Sequence, residues 1–152
     1  MTMTDEPVTP GFKGWLLVLA IFQFLLLARA LALLVGIGQV FFSGFPAADI
    51  GRFSILYGGR LVLNAAFVSI VVVAIVLMLF RRRAFRRWAR IEMIGFIVLP
   101  MAELAWIVAA PKSGEAGINL AVMVLMVIHV AVGTTWDRYV ETSQRVAATF
   151  VR

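Results

Sequence analysis

The chain has 152 residues, 62% of them hydrophobic and only 14% charged, with a formal net charge of +6 and a mean hydropathy of +0.99. Soluble domains carry about 25% charged residues, so water is not the solvent for most of this surface, and the length gives room for one domain. The absence of cysteine excludes disulfides, thiolate metal sites and cysteine nucleophiles.

Apolar runs of about 18 residues or more read as transmembrane helices, because the hydrocarbon core is about 30 Å thick and a helix rises 1.5 Å per residue. Four such runs are present, and the expected fold is an all-α, integral membrane four-helix bundle forming a single membrane domain over 1–152. The first run covers 15–42. Asp5 and Glu6 precede it and it continues well past the small residues Ala28 and Ala30, so it is expected to stay as a span rather than be cleaved as a signal. An outer loop follows, in which "GFPAAD" and "YGGR" read as turns. Between them Ile50, Phe53, Leu56 and Tyr57 recur at helical spacing, predicting a short helix on the outer interface. The second span is predicted at 61–80, the third at 91–110 and the fourth at 117–136, with a tail over 137–152. All four must be helical, since backbone groups in lipid have no water to bond and none of the runs alternates as barrel strands do.

The stretch "FRRRAFRRWARIE" joins the second span to the third. Four spans place it on the same side as both termini, where the basic residues are Lys13, Arg81, Arg82, Arg83, Arg86, Arg87, Arg90, Arg138, Arg145 and Arg152, against Arg52, Arg60 and Lys112 on the other side. Short loops rich in Lys and Arg stay cytoplasmic. Both termini are therefore expected in the cytoplasm of a multi-pass inner-membrane protein. The six loop arginines are expected to hold anionic lipid headgroups as well, each worth about 1 kcal/mol near an acidic leaflet. Nucleic acid is excluded as a partner, because the loop is pinned to the membrane at both ends and no nucleic-acid-binding motif surrounds it.

Ionisable groups at depth are the natural candidates for function, since a lone charge at the bilayer centre costs at least about 2.5–3.5 kcal/mol. Counted from the cytoplasmic boundary, Arg29 lies about 21 Å deep, Glu103 about 20 Å and Asn64 about 24 Å. A guanidinium and a carboxylate at one level make a natural bidentate pair, with the Asn64 amide as third member. This buried layer serves either as a polar clamp that fixes helix register or as a site for a substrate carboxylate or a proton. Pro100 is expected to kink the third helix one turn before Glu103. His129, at about 12 Å and level with Gln23, is expected to make a hydrogen-bonded helix contact. As the only histidine in a chain without cysteine it falls short of a metal site.

In the tail, Trp136, Tyr139, Val140, Ser143, Val146, Ala147 and Phe150 recur at helical spacing, with Arg138, Glu141, Gln144, Arg145 and Arg152 largely on the other side. That stripe predicts a C-terminal amphipathic helix lying in the headgroup region. "GWLLVLA" at the start of the first span, the arginine in "LARAL", the basic loop and the closing "WDRYVETSQRVAATFV" together resemble the bacterial inner-membrane family catalogued as domain of unknown function 2569. The most distinctive part is the tail motif of Trp136, Tyr139, Ser143, Arg145, Val146, Thr149 and Phe150. The resemblance implies four spans and a bacterial plasma membrane, and it supplies no activity.

No catalytic constellation stands out: there is no serine in a triad spacing, no H-E-x-x-H and no phosphate-binding loop. The expected function is that of a non-catalytic accessory or interaction component, without a cofactor, whose partners are the bilayer and either a second copy or another membrane protein. The alternative is a small transporter or channel, dimeric or not, that uses Arg29 and Glu103 in the membrane interior.

Overall fold

The computed structural model describes residues 13–43, 50–109 and 120–151. Among these the chain forms α1 (Trp15–Phe42), α2 (Ile50–Leu79), α3 (Ala84–Ala109), α4 (Leu120–Thr142) and the short α5 (Gln144–Thr149). The four long helices measure about 35–45 Å, more than the roughly 30 Å of hydrocarbon, and each is apolar enough to cross a membrane. The expected outer turn at 44–49 and the expected limits at 110 and 117 lie outside the described residues.

The helices pack in chain order, α1 on α2, α2 on α3 and α3 on α4. On α1 the buried positions Leu16, Leu19, Gln23, Leu26, Ala30 and Ile37 follow the three-and-four spacing of a coiled-coil seam. The opposite surfaces, with Ile21, Leu25, Val62, Val108 and Val127 exposed, are what lipid solvates. Close approach of α3 and α4 depends on Gly133, where a Cβ would lie 2.6 Å from Ile97 Cγ1 and 3.3 Å from the Met93 carbonyl; small residues are what let membrane helices pack this tightly.

Helix α2 begins eleven residues before the predicted span, so Phe53, Leu56 and Tyr57 belong to its first turns and not to a separate interfacial helix. Gly58 and Gly59 do not turn the chain. A glycine inside a helix costs only about 1 kcal/mol, and here Gly59 gives the Trp106 indole its seat: a Cβ at that position would collide with the ring. Trp106 Nε1 donates to the carbonyls of Ile55 and Leu56, both at 3.3 Å.

The connection between α2 and α3 is only Phe80–Arg83, and it closes as a Schellman cap. The Arg82 N–H bonds the Leu77 carbonyl at 2.9 Å, the Arg81 N–H bonds the Met78 carbonyl at 3.1 Å, and Arg81 takes the left-handed φ of 51° usually left to glycine. Arg86, Arg87 and Arg90 consequently ride on the first turns of α3.

The tail departs from expectation. Helix α4 runs on to Thr142 and takes in Trp136 and Tyr139; Ser143 then breaks the helix and caps α5, its Oγ accepting from the Val146 N–H at 3.4 Å. The apolar stripe does not face lipid. Val140, Val146 and Phe150 bury into the end of the bundle with Leu16, Leu19, Met78, Phe85, Ala89 and Met93, and the rings of Phe85 and Phe150 lie 4.2 Å apart. The expected interfacial helix is therefore corrected to a plug on the arginine end of the bundle. The arginines account for the difference, because they bond the tail's backbone: Arg83 Nε donates to the Val151 carbonyl at 2.5 Å and Arg86 to the Glu141 carbonyl at 3.1 Å. Arg145 in turn donates to the Lys13 carbonyl at 2.9 Å, which brings the start of α1, the α2–α3 connection and the tail to one end.

Candidate functional site

Each long helix sends one polar residue to the middle of the bundle. Arg29 (α1), Asn64 (α2), Glu103 (α3) and His129 (α4) line one cavity of about 220 Å³, with Leu26, Leu33, Phe96, Leu99, Pro100 and Leu125 among its apolar walls. Arg29, Asn64 and Glu103 therefore share one cavity, but the expected buried layer is corrected at Arg29, which is exposed, and its pairing differs. Arg29 Nη1 lies 3.1 Å from His129 Nε2. Glu103 instead accepts a hydrogen bond from the Asn64 amide and sits 3.8 Å from the Arg60 guanidinium. The predicted Arg29–Glu103 pair is thus corrected, and the early start of α2 is the reason. It puts Arg60 one turn before Asn64 on the same helix face, where the Asn64 amide also bonds the Arg60 carbonyl at 2.9 Å, so a competing cation already stands beside the carboxylate.

Histidine protonation follows from the same contacts. A guanidinium only donates, so His129 Nε2 must accept, and the ring proton sits on Nδ1, which donates to the Leu125 carbonyl at 2.7 Å. His129 is a neutral, buried imidazole, tilted against the Phe96 ring at 4.5 Å. Arg29 itself stays exposed on the side of the bundle between α1 and α4. No carboxylate among the described residues lies within ion-pairing reach of it.

Gln23 does not join His129. It is fully buried in the α1 seam and lies beside Glu92, which is fully buried on α3. Sequence reasoning passes over Glu92 and Arg60. Glu92 nonetheless shares the helix face of Phe85, Ala89, Met93 and Phe96, the spacing of a core position.

At the basic end, Arg83, Arg86, Arg87 and Arg90 line a groove of about 570 Å³ with Ile91, Ile94, Val140 and Glu141. Arg90 pairs with Asp137 at 3.0 Å and lies 3.7 Å from Glu141, which Arg138 also approaches. These exposed pairs are worth about 0–1 kcal/mol each. The guanidinium groups of Arg87 and Arg82 have no partner among the described residues. Among those residues no group of three or more His, Asp or Glu is placed to hold a metal.

Four apolar helices that each send a polar residue to one cavity, closed at one end by a docked tail, define a four-helix membrane bundle. The chain belongs to the family described as Protein of unknown function (DUF2569), which matches residues 10–151, nearly the whole length over which the sequence motifs carry the resemblance. No curated protein and no solved structure matches it.

Proposed function

We propose that the protein is a non-catalytic accessory component of the bacterial inner membrane, with both termini in the cytoplasm, and that it works by binding. One observation carries this: the arginine-lined groove at the basic end, where three of four guanidinium groups hold the protein's own tail or its acids and Arg87 remains unengaged. A row of guanidinium groups beside the apolar side chains Ile91 and Ile94 suits the phosphate and upper chain of an anionic lipid. Ten basic residues on that side against Arg52 and Lys112 on the other, with Arg60 now within α2 beside Glu103, support its cytoplasmic placement. The groove is also the surface on which a second copy or another membrane protein with acidic residues would dock.

The test is Arg87→Gln in nanodiscs of zwitterionic lipid with and without one third anionic lipid. The variant should keep wild-type stability in the zwitterionic discs and lose about fivefold in preference for the anionic lipid, the equivalent of about 1 kcal/mol. An unchanged preference would refute the role of the groove. A small transporter is the second reading, favoured by the cavity that Arg29 and Glu103 share; reaction of a water-soluble thiol reagent with a cysteine at Ala102 would support it.

A further inference from the structure

The mid-bundle cavity has a charge that the described residues do not balance. Of the charged residues that line it, Arg29 and Glu103, the carboxylate is already balanced by Arg60, which stands outside the lining 3.8 Å away, and His129 is neutral, so one positive charge is left over. Glu103 is engaged by Asn64 and Arg60. The surplus therefore sits on Arg29, whose contact with His129 uses one of its five N–H donors. Arg29 is the fifteenth residue of the 28 in α1, the middle of the span, and charge at that depth is costly unless it is paired or reaches water. The remaining walls are apolar, and the side toward α4 is open: Leu33 and Leu125 line the cavity and are each 46% exposed. On that side the solvent is lipid.

We propose that this cavity is a binding site for an acidic amphiphile, a single-chain carboxylic acid whose carboxylate sits on Arg29 while its chain leaves between α1 and α4 into the bilayer. The charge sets the headgroup: one negative charge closes the balance, whereas a doubly charged phosphate overshoots it. The size sets the extent of burial. At about 220 Å³ the cavity is smaller than the roughly 300–1,000 Å³ of sites that engulf a drug-sized ligand, so it takes the acid group and the first carbons, and lipid takes the rest. A planar guanidinium offers the carboxylate two parallel N–H donors. The site is separate from the arginine groove and stands or falls independently of the function proposed for it.

The experiment is thermal unfolding of the full chain in zwitterionic nanodiscs, titrated with oleate, oleyl phosphate or oleyl alcohol. A ligand at a hundredfold excess over its Kd should raise Tm by roughly 5 °C or more; oleate should do so and the alcohol should not. Arg29→Gln should abolish the shift. Leu33→Trp fills the cavity while keeping the arginine, so it should abolish the shift even if Arg29→Gln folds poorly. Arg87→Gln, in the distant groove, should retain it. An equal shift with the alcohol, a larger shift with oleyl phosphate, or an oleate shift that survives Leu33→Trp would overturn the assignment.

Discussion

Replacing Phe150 by alanine tests whether the tail is docked on the bundle or lies in the headgroups. Phe150 is 3% exposed and Phe85 is fully buried, with ring centroids 4.2 Å apart and planes inclined by 34°. Truncating a buried phenylalanine costs about 3–5 kcal/mol. Phe150 caps the six-residue α5, a short element that can relax into the space, so a loss near the lower value, about 3 kcal/mol, is expected. The contact with Phe85 should appear separately. In a cycle with Phe85→Ala the two changes should fail to add by about 0.5–1.5 kcal/mol, the usual worth of an aromatic pair beyond its buried area. Reversible unfolding in mixed micelles of the wild type, both single variants and the double variant supplies the four free energies. A tail lying in lipid would bury the same ring without using it to hold the bundle together. A loss below about 0.5 kcal/mol for Phe150→Ala, or strict additivity with Phe85→Ala, would refute the docked arrangement.

The pairing in the polar cavity is open to the same kind of measurement. Asn64→Ala and Glu103→Ala should couple by about 1–2 kcal/mol because they remove two ends of one hydrogen bond to a charged group, whereas Arg29→Gln and Glu103→Ala should add within about 0.5 kcal/mol; strong coupling of the second pair would restore the direct ion pair. For topology, reporter fusions after Arg86 and after Arg152 should report cytoplasm and fusions near Asp49 and Gly114 the outside, and an external signal at Arg86 would exclude the proposed orientation.

The four helices were legible in the sequence because lipid imposes a length and a composition that little else mimics, and α1 begins and ends at the residues expected. Helix limits were less legible where glycine intervened. "YGGR" has the composition of a turn, and only the position of Trp106 on another helix shows that the glycines serve as its seat. The tail shows a different limit. Its spacing correctly marked Val146 and Phe150 as one apolar face, but periodicity states that a face is buried without stating in what, and protein and lipid satisfy it equally. The levels of Arg29, Asn64 and Glu103 followed from rise per residue alone, and all three do line one cavity. Their partners did not follow, because depth leaves rotation about each helix axis undetermined and because the loop assignment kept Arg60 out of the membrane count.

That single displaced arginine changes what the cavity is. Had Arg29 met Glu103, the charges would cancel inside the bundle, both groups would be held by geometry, and the layer would serve as a closed clamp between α1 and α3. With Arg60 brought onto α2 beside Asn64, the carboxylate is satisfied from within the α2–α3 pair, and α1 reaches α4 at this level through a neutral imidazole that can accept one hydrogen bond and no charge. A neutral acceptor orients a guanidinium without neutralising it. The arrangement therefore leaves an oriented positive charge facing the open side between α1 and α4, and the clamp function passes to Asn64 and Glu103, which is why the two coupling experiments on this layer should give opposite answers.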